Sequence, residues 1–169
     1  MNRKPLVFVN GEISEMPSGD LVDPAVLPEL EAPPAPPAVD FSLVELVNGT
    51  PFARPFGTPV YVKPDGEFAD AVPGATVDEA EAVGLITNAA PVQQDDPGIV
   101  KTHGPMTGTE AQWNAQTGGS GGLVAGSDYY LNTGGGLSTT PIGPNVTKLG
   151  KALSSTVLNI RIEPTITVG

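Results

Sequence analysis

The sequence predicts an all-β fold, a small antiparallel sandwich or barrel with one or two short helical turns and an extended proline-rich N-terminal arm. Three observations carry that prediction. Glycine and proline supply 21 and 19 of the 169 residues. The apolar residues between them fall into short runs. Each run is bounded by turn chemistry and lacks the apolar spacing of a long helix. A chain of 169 residues accommodates one ordinary domain, or one domain preceded by an arm. The expected division is an arm at 1–40 and a β domain at 41–169.

At the N-terminus, Leu6-Val7-Phe8-Val9, then Asn10-Gly11, then Glu12-Ile13 reads as a strand, a turn and a returning strand. Asn-Gly is a strong short-range hairpin signal, because both residues tolerate positive φ. Between Asp20 and Asp40 stand Pro24, Pro28, Pro33, Pro34, Pro36 and Pro37. That composition favours extended polyproline II and a spacer role, with a disordered linker as the open alternative.

From Phe41 onward the apolar runs are Ser42 to Val47, Pro59 to Val62, Ala82 to Thr87, Gly98 to Thr102, Ser127 to Leu131 and Val157 to Val168. Asn48-Gly49, Pro64-Asp65-Gly66, Pro73-Gly74, Asp96-Pro97-Gly98 and Gly134-Gly135-Gly136 separate them with residues that preset a turn. Leu158, Ile160 and Ile162 alternate with Asn159, Arg161 and Glu163, the period of a half-buried strand. Pro164 removes a ladder donor, so a bulge or an edge position is expected there. Thr76 with Glu79, and Thr109 with Gln112, have capping-box spacing and predict two helices of one to two turns. Trp113, on the second, is expected to pack over the sheet edge.

Residues 1–110 carry 17 of the 19 acidic and 5 of the 8 basic side chains. An acidic chain without a Lys/Arg cluster speaks against nucleic acid as a partner. The absence of cysteine removes disulfides, thiol nucleophiles and Cys-containing zinc sites. The apolar run after Met1-Asn2-Arg3-Lys4 is too short for a signal-peptide core, and no window has transmembrane length, so no membrane partner and synthesis in a cytoplasm are expected.

Reactive constellations are sparse. Gly118-Gly119-Ser120-Gly121-Gly122 satisfies G-x-S-x-G, but a nucleophile elbow needs a hydrophobic strand before the serine and a helix after it. His103, the one histidine, precedes Gly104-Pro105 and reads as a turn residue at a strand end. Asp78-Glu79-Glu81 and Asp95-Asp96 lack the spacing of a calcium loop; the first reads as a solvated helix face, the second as a turn opener. Gly143 to Ala152 misses the phosphate-loop pattern at Asn145 and Ala152. Asn48-Gly49-Thr50 and Asn145-Val146-Thr147 match the glycosylation sequon, which has no weight without a secretory route. No catalytic residue, metal ligand or cofactor is assigned.

The segment from Trp113 to Thr133 contains Gly122-Leu123, Gly126 and Tyr129-Tyr130-Leu131, a Gly-Leu-x-x-Gly-x-x-Tyr-Tyr-Leu pattern. Gly136 to Pro141, Leu149 to Ser154 and Leu158-Asn159-Ile160 follow it; Gly57 to Val62, Asp65-Gly66 and Val83 to Ile86 precede it. Together these resemble the β domain of structural proteins of tailed bacteriophages, and Val9 to Asp20 is similar to the lead-ins of phage fibre and decoration proteins. The resemblance spans about residues 42–169. It implies a non-enzymatic virion structural protein made in the host cytoplasm. The expected form is a homotrimeric capsid decoration (cement) protein on the major capsid protein lattice, with a tail or baseplate fibre adhesin as the alternative. Leu6, Val7, Phe8 and Val9 are the first candidates for partner contact, by adding a strand to a neighbour's sheet edge. The competing reading is that they begin this subunit's own sheet.

Overall fold

The computed structural model describes residues 6–9, 12–15, 40, 42–74 and 76–168. The chain divides into two compact units, 1–38 and 39–169. In the first, β1 (Leu6–Val9) and β2 (Glu12–Glu15) form an antiparallel hairpin, with Leu6 opposite Glu15 and Val9 opposite Glu12. The Asn10-Gly11 turn and the proline-rich stretch up to Val39 lie outside the described residues.

The second unit is an all-β sandwich. Its first sheet is built from β3 (Leu43–Val47), β4 (Pro59–Val62), β5 (Phe68–Asp70), β6 (Gly84–Ile86) and β7 (Pro97–Lys101), in the order β3-β7-β6-β4-β5. The second contains β8 (His103–Thr107), β9 (Asp128–Leu131), β10 (Leu137–Ser138), β12 (Lys148–Ala152) and β13 (Val157–Arg161), in the order β10-β9-β12-β13-β8. Every pairing within both sheets is antiparallel. Two short strands, β11 (Asn145–Val146) and β14 (Ile166–Thr167), pair apart from them.

Alternation sorts the side chains. Leu85 and half-buried Tyr61 of the first sheet meet Met106, Tyr129, Leu131, Leu137, Ala152, Leu158 and Ile160 of the second in one core. The first sheet also buries its other face: Val60, Phe68, Ile86 and Val100 pack with Val92 in a second, smaller cluster. The cover over that face is irregular chain, cross-linked where Arg54 and Val92 exchange backbone hydrogen bonds of 2.9 Å. Asn48, wholly buried, anchors it. Its Nδ2 donates to the carbonyls of Phe52 and Val92 at 3.0 Å, and its Oδ1 accepts from the Thr50 N–H and hydroxyl. A buried amide with its donors and acceptor engaged ties a loop down without an orphaned polar group.

In the second sheet, Lys148 and Gly150 oppose consecutive residues Tyr130 and Tyr129, making Leu149 the extra residue of a bulge; it is fully buried. Gly150 permits the close approach of β13, because a Cβ there would collide with the Asn159 carbonyl.

Both helices form where the capping spacing places them. In α1 (Val77–Ala80), a single turn, the Thr76 hydroxyl accepts from the Glu79 N–H at 3.4 Å. In α2 (Glu110–Thr117) the capping box is complete and Gly118 ends the helix in the left-handed region at φ 68°.

Several strand assignments differ from the sequence reading. β5, β8, β10, β11 and β12 are strands that no apolar run signalled, being short or interrupted by Lys, Gly or Pro. His103 is not a turn residue; it opens β8, opposite Arg161. Pro105 sits inside that strand, tolerated because β8 is at the sheet edge, where a missing N–H costs no ladder bond. The run Val157 to Val168 splits: β13 ends at Arg161, Ile162–Thr165 belong to no strand although the Glu163 N–H still donates to the Lys148 carbonyl at 3.0 Å, and β14 joins β11.

Candidate functional site

The contact candidates Leu6, Val7, Phe8 and Val9 all lie in β1 and pair with β2. Among the described residues the hairpin is a separate two-stranded sheet, in which neither strand has a further partner. Two strands alone are marginally stable in water, so a hairpin gains by joining a third.

The hydrolase arrangement is not assembled. His103 and Thr107 stand at opposite ends of β8, facing Arg161 and Val157. Ser120 belongs to the loop after α2, whose return, through the 2.9 Å Leu123 N–H bond to the Ser155 carbonyl, is tied to the Val157 end. The length of β8, about 13 Å at 3.3 Å per residue, therefore separates the two neighbourhoods. Ser120 is exposed, and the His103 ring pairs with the adjacent Thr102 hydroxyl at 3.0 Å.

Trp113, Tyr129 and Tyr130 do not form an exposed aromatic groove, since Trp113 and Tyr129 are buried. Trp113 does not lie over the sheet edge. Its indole is enclosed in the shared core, edge-on to Phe56 at 5.1 Å between centroids, with Nε1 donating to the Thr156 carbonyl at 2.9 Å. The Tyr129 hydroxyl accepts from the Val124 N–H at 2.8 Å. Of the acidic clusters, Asp78 and Glu81 are exposed, and Asp95 takes the left-handed turn conformation at φ 63°. Among the described residues no three of His, Asp and Glu converge as metal ligands. Both sequon asparagines are buried structural groups: Asn145 Nδ2 donates to the Gly74 carbonyl at 3.1 Å, and its Oδ1 accepts from the Thr167 hydroxyl at 3.0 Å.

Sequence reasoning missed a polar cleft of about 240 Å³ between Arg54, Thr58, Asp70, Gln116, Asn132 and the Gly134–Gly136 turn. The residues come from distant parts of the chain and meet only through the sheet pairing. Asp70 closes β5, and its carboxylate oxygen Oδ1 contacts Arg54 Nε. Burial raises the Asp70 pKa, opposed by the Arg54 charge. Gln116 Nε2 donates to the Phe56 carbonyl at 2.7 Å. The Arg54–Asp70 contact and the Gln116 bond to Phe56 make this cleft a clasp between loop and sheets.

Further ion pairs lie near the surface. Lys63 contacts Asp65 and Glu67 at 2.9 and 2.8 Å, and both carboxylates raise its pKa. On the outer face of the second sheet Lys148 lies 3.2 Å from Asp128 and 3.4 Å from Glu163, which raise its pKa in that order. Asp40 precedes β3: its carboxylate accepts from the Ser42 hydroxyl and N–H and sits 3.2 Å from Lys101 Nζ. These contacts, the Ser42 hydrogen bonds first, hold Asp40 at about 2.

No protein-family model matches the chain, and no curated protein matches it in sequence.

Proposed function

We propose that this chain is a non-enzymatic structural protein of a tailed-bacteriophage virion, a decoration protein that binds the assembled head. The observation that carries the reading is the N-terminal hairpin. It has strand edges without a further partner among the described residues, and a proline-rich stretch follows it before a β body with its own core. An apolar strand of this kind, Leu6-Val7-Phe8-Val9, adds to the sheet edge of another protein through main-chain hydrogen bonds. The similarity of residues 42–169 to phage β domains supports the same class.

The mechanism is mass action. A ligand that binds the assembled shell and not its free subunits stabilises the shell by its binding free energy, repeated at each lattice site. The acidic chain keeps unbound copies apart in solution.

The test is co-sedimentation of the full chain with emptied heads, and separately with isolated tails, of the phage that encodes it. Many copies per head, lost when residues 1–38 are deleted while far-UV circular dichroism keeps its β signature, is the expected result. A few copies on tails alone would replace this reading with a tail or baseplate fibre, and binding to neither would overturn both.

A further inference from the structure

The single helical turn α1 is bound to the segment that follows β13. The Ala80 carbonyl at the end of the turn accepts from the Thr147 and Thr165 hydroxyls, at 2.6 and 3.2 Å. The Glu79 carbonyl accepts from the Val72 N–H at 2.9 Å. Two clefts open beside this fixed turn. One, of about 290 Å³, lies among Val83, Ile162 and Pro164, and the other, of about 270 Å³, among Tyr61, Val62 and Asp78; Glu81 and Val83 line both.

The side chains at the clefts are of two kinds. Val62 and Val83 are 42% and 36% exposed, and half-buried Tyr61 and Ile162 back onto the core. Asp78 and Glu81 are exposed, both on the second cleft, and neither enters an ion pair among the described residues. Lys63, the cation beside them, is held by Asp65 and Glu67. Apolar side chains left in water next to uncompensated carboxylates have the make-up of a protein-docking surface, with an apolar centre and a charged rim. The hydroxyl bonds to Ala80 fix its shape before a partner arrives, which lowers the entropy lost on docking.

We propose that this face is a second contact with the phage head, docking a head-protein surface that presents aliphatic side chains beside Lys or Arg. The inference rests on the decoration reading and adds to the N-terminal hairpin a point of attachment on the β body itself. Charge selects the occupant. Asp78 and Glu81 repel each other and gain from a cation placed against them, the more so where apolar contact excludes water. Nucleic acid and anionic lipid bring the wrong sign, and a second copy brings its own net charge of −11. A lone metal ion is a poor occupant too, since among the described residues no three of His, Asp and Glu converge. Two attachments on one chain reinforce each other through effective concentration, so each is sufficient when weak by itself.

The test measures binding of the full chain to emptied heads by co-sedimentation, at about 0.05 and about 0.3 M salt, with urea unfolding to establish that each variant is folded. Glu81→Lys is expected to weaken binding about tenfold at the lower salt and to flatten its salt dependence. Val83→Ser, which takes apolar surface from both clefts, weakens it about threefold at either salt. Glu110→Lys makes the same change in net charge elsewhere, beside the loop where a Cβ on Gly122 would meet both the Glu110 side chain and the Ser155 carbonyl, and leaves binding within about twofold. Equal or tighter binding by Glu81→Lys, or the same loss from Glu110→Lys, would overturn the inference while the decoration reading stands. Self-association of the free chain that Val83→Ser abolishes would give the face to a second copy and overturn it as well. No binding of the parent chain to heads would remove the decoration reading, and this inference with it.

Discussion

Replacing Trp113 by alanine removes the largest fully buried side chain of the β body. Large-to-small substitution of a buried aromatic costs about 3–5 kcal/mol, transfer and cavity terms together. Two features place Trp113→Ala near the top of that range. The edge-on contact with Phe56 at 5.1 Å disappears, which is worth about 0.5–1.5 kcal/mol in itself. The site is also walled closely: a Cβ on Gly108 would stand 2.5 Å from the Phe56 ring and 3.0 Å from the indole nitrogen, so there is little slack to redistribute. The hydrogen bond adds less, because the Thr156 carbonyl still accepts from the Gly108 N–H at 2.9 Å. A loss of about 4–5 kcal/mol is a third or more of the stability of an ordinary domain. With a urea slope of about 1.5 kcal/mol per M it moves the midpoint down by roughly 3 M. Trp113→Phe keeps a ring against Phe56 and leaves no orphaned carbonyl, and costs about 1–2 kcal/mol. Urea unfolding followed by far-UV circular dichroism measures both, since the substitution deletes the one tryptophan that fluorescence would follow. A loss below about 1.5 kcal/mol for alanine, or equal losses for the two variants, would refute the assignment of Trp113 to the core.

Two further outcomes test the charged contacts. Arg54→Met leaves the Asp70 carboxylate half-buried without its counter-charge, and is expected to cost about 1–3 kcal/mol at pH 7, below the range for a fully buried pair because both side chains keep some solvent contact. The folded-state pKa of Asp70 is already raised by burial and rises further without Arg54, so acidification neutralises the group and shrinks the loss; an equal loss at pH 7 and pH 4 in urea titrations would exclude this cause. Asp40 titrates at about 2 when folded, below its ordinary value of 3.8. Its stabilising contribution is therefore present above about pH 4 and disappears as the pH falls towards 2. Asp40→Asn is expected to destabilise at pH 7 and to converge with the parent near pH 2, and because the group is exposed the difference at pH 7 contracts in 1 M salt. Parallel acid-unfolding curves for the two proteins would contradict it.

The elements legible in the sequence were those whose cause is local. Leu158 and Ile160 alternate because one face of their strand is buried. Thr109 and Gln112 cap a helix through hydrogen bonds three residues apart, and Pro64-Asp65-Gly66 turns the chain by its own dihedral preferences. Mainly apolar runs such as Leu43–Val47 and Pro59–Val62 became strands within one residue of the expected bounds. Strands such as Lys148–Ala152 carried no such pattern, because Gly150 and Lys151 take their places for reasons of close approach and outward facing that arise only beside β13 and β9.

For the sites the division is sharper. The G-x-S-x-G string and the sequons were visible as strings, yet their meaning depended on position: Ser120 is a full strand length from the neighbourhood of His103, and Asn48 and Asn145 spend their amides inside the fold. The Arg54–Asp70 clasp had no local signal, since it unites residues 16 positions apart with a glycine turn beyond residue 130. Sequence by itself determined the class of fold and the capped helices, since propensity, capping and turn chemistry act over a few residues. Only the tertiary structure decided which faces are buried and which groups meet, because strand order and burial depend on contacts between residues far apart in the chain.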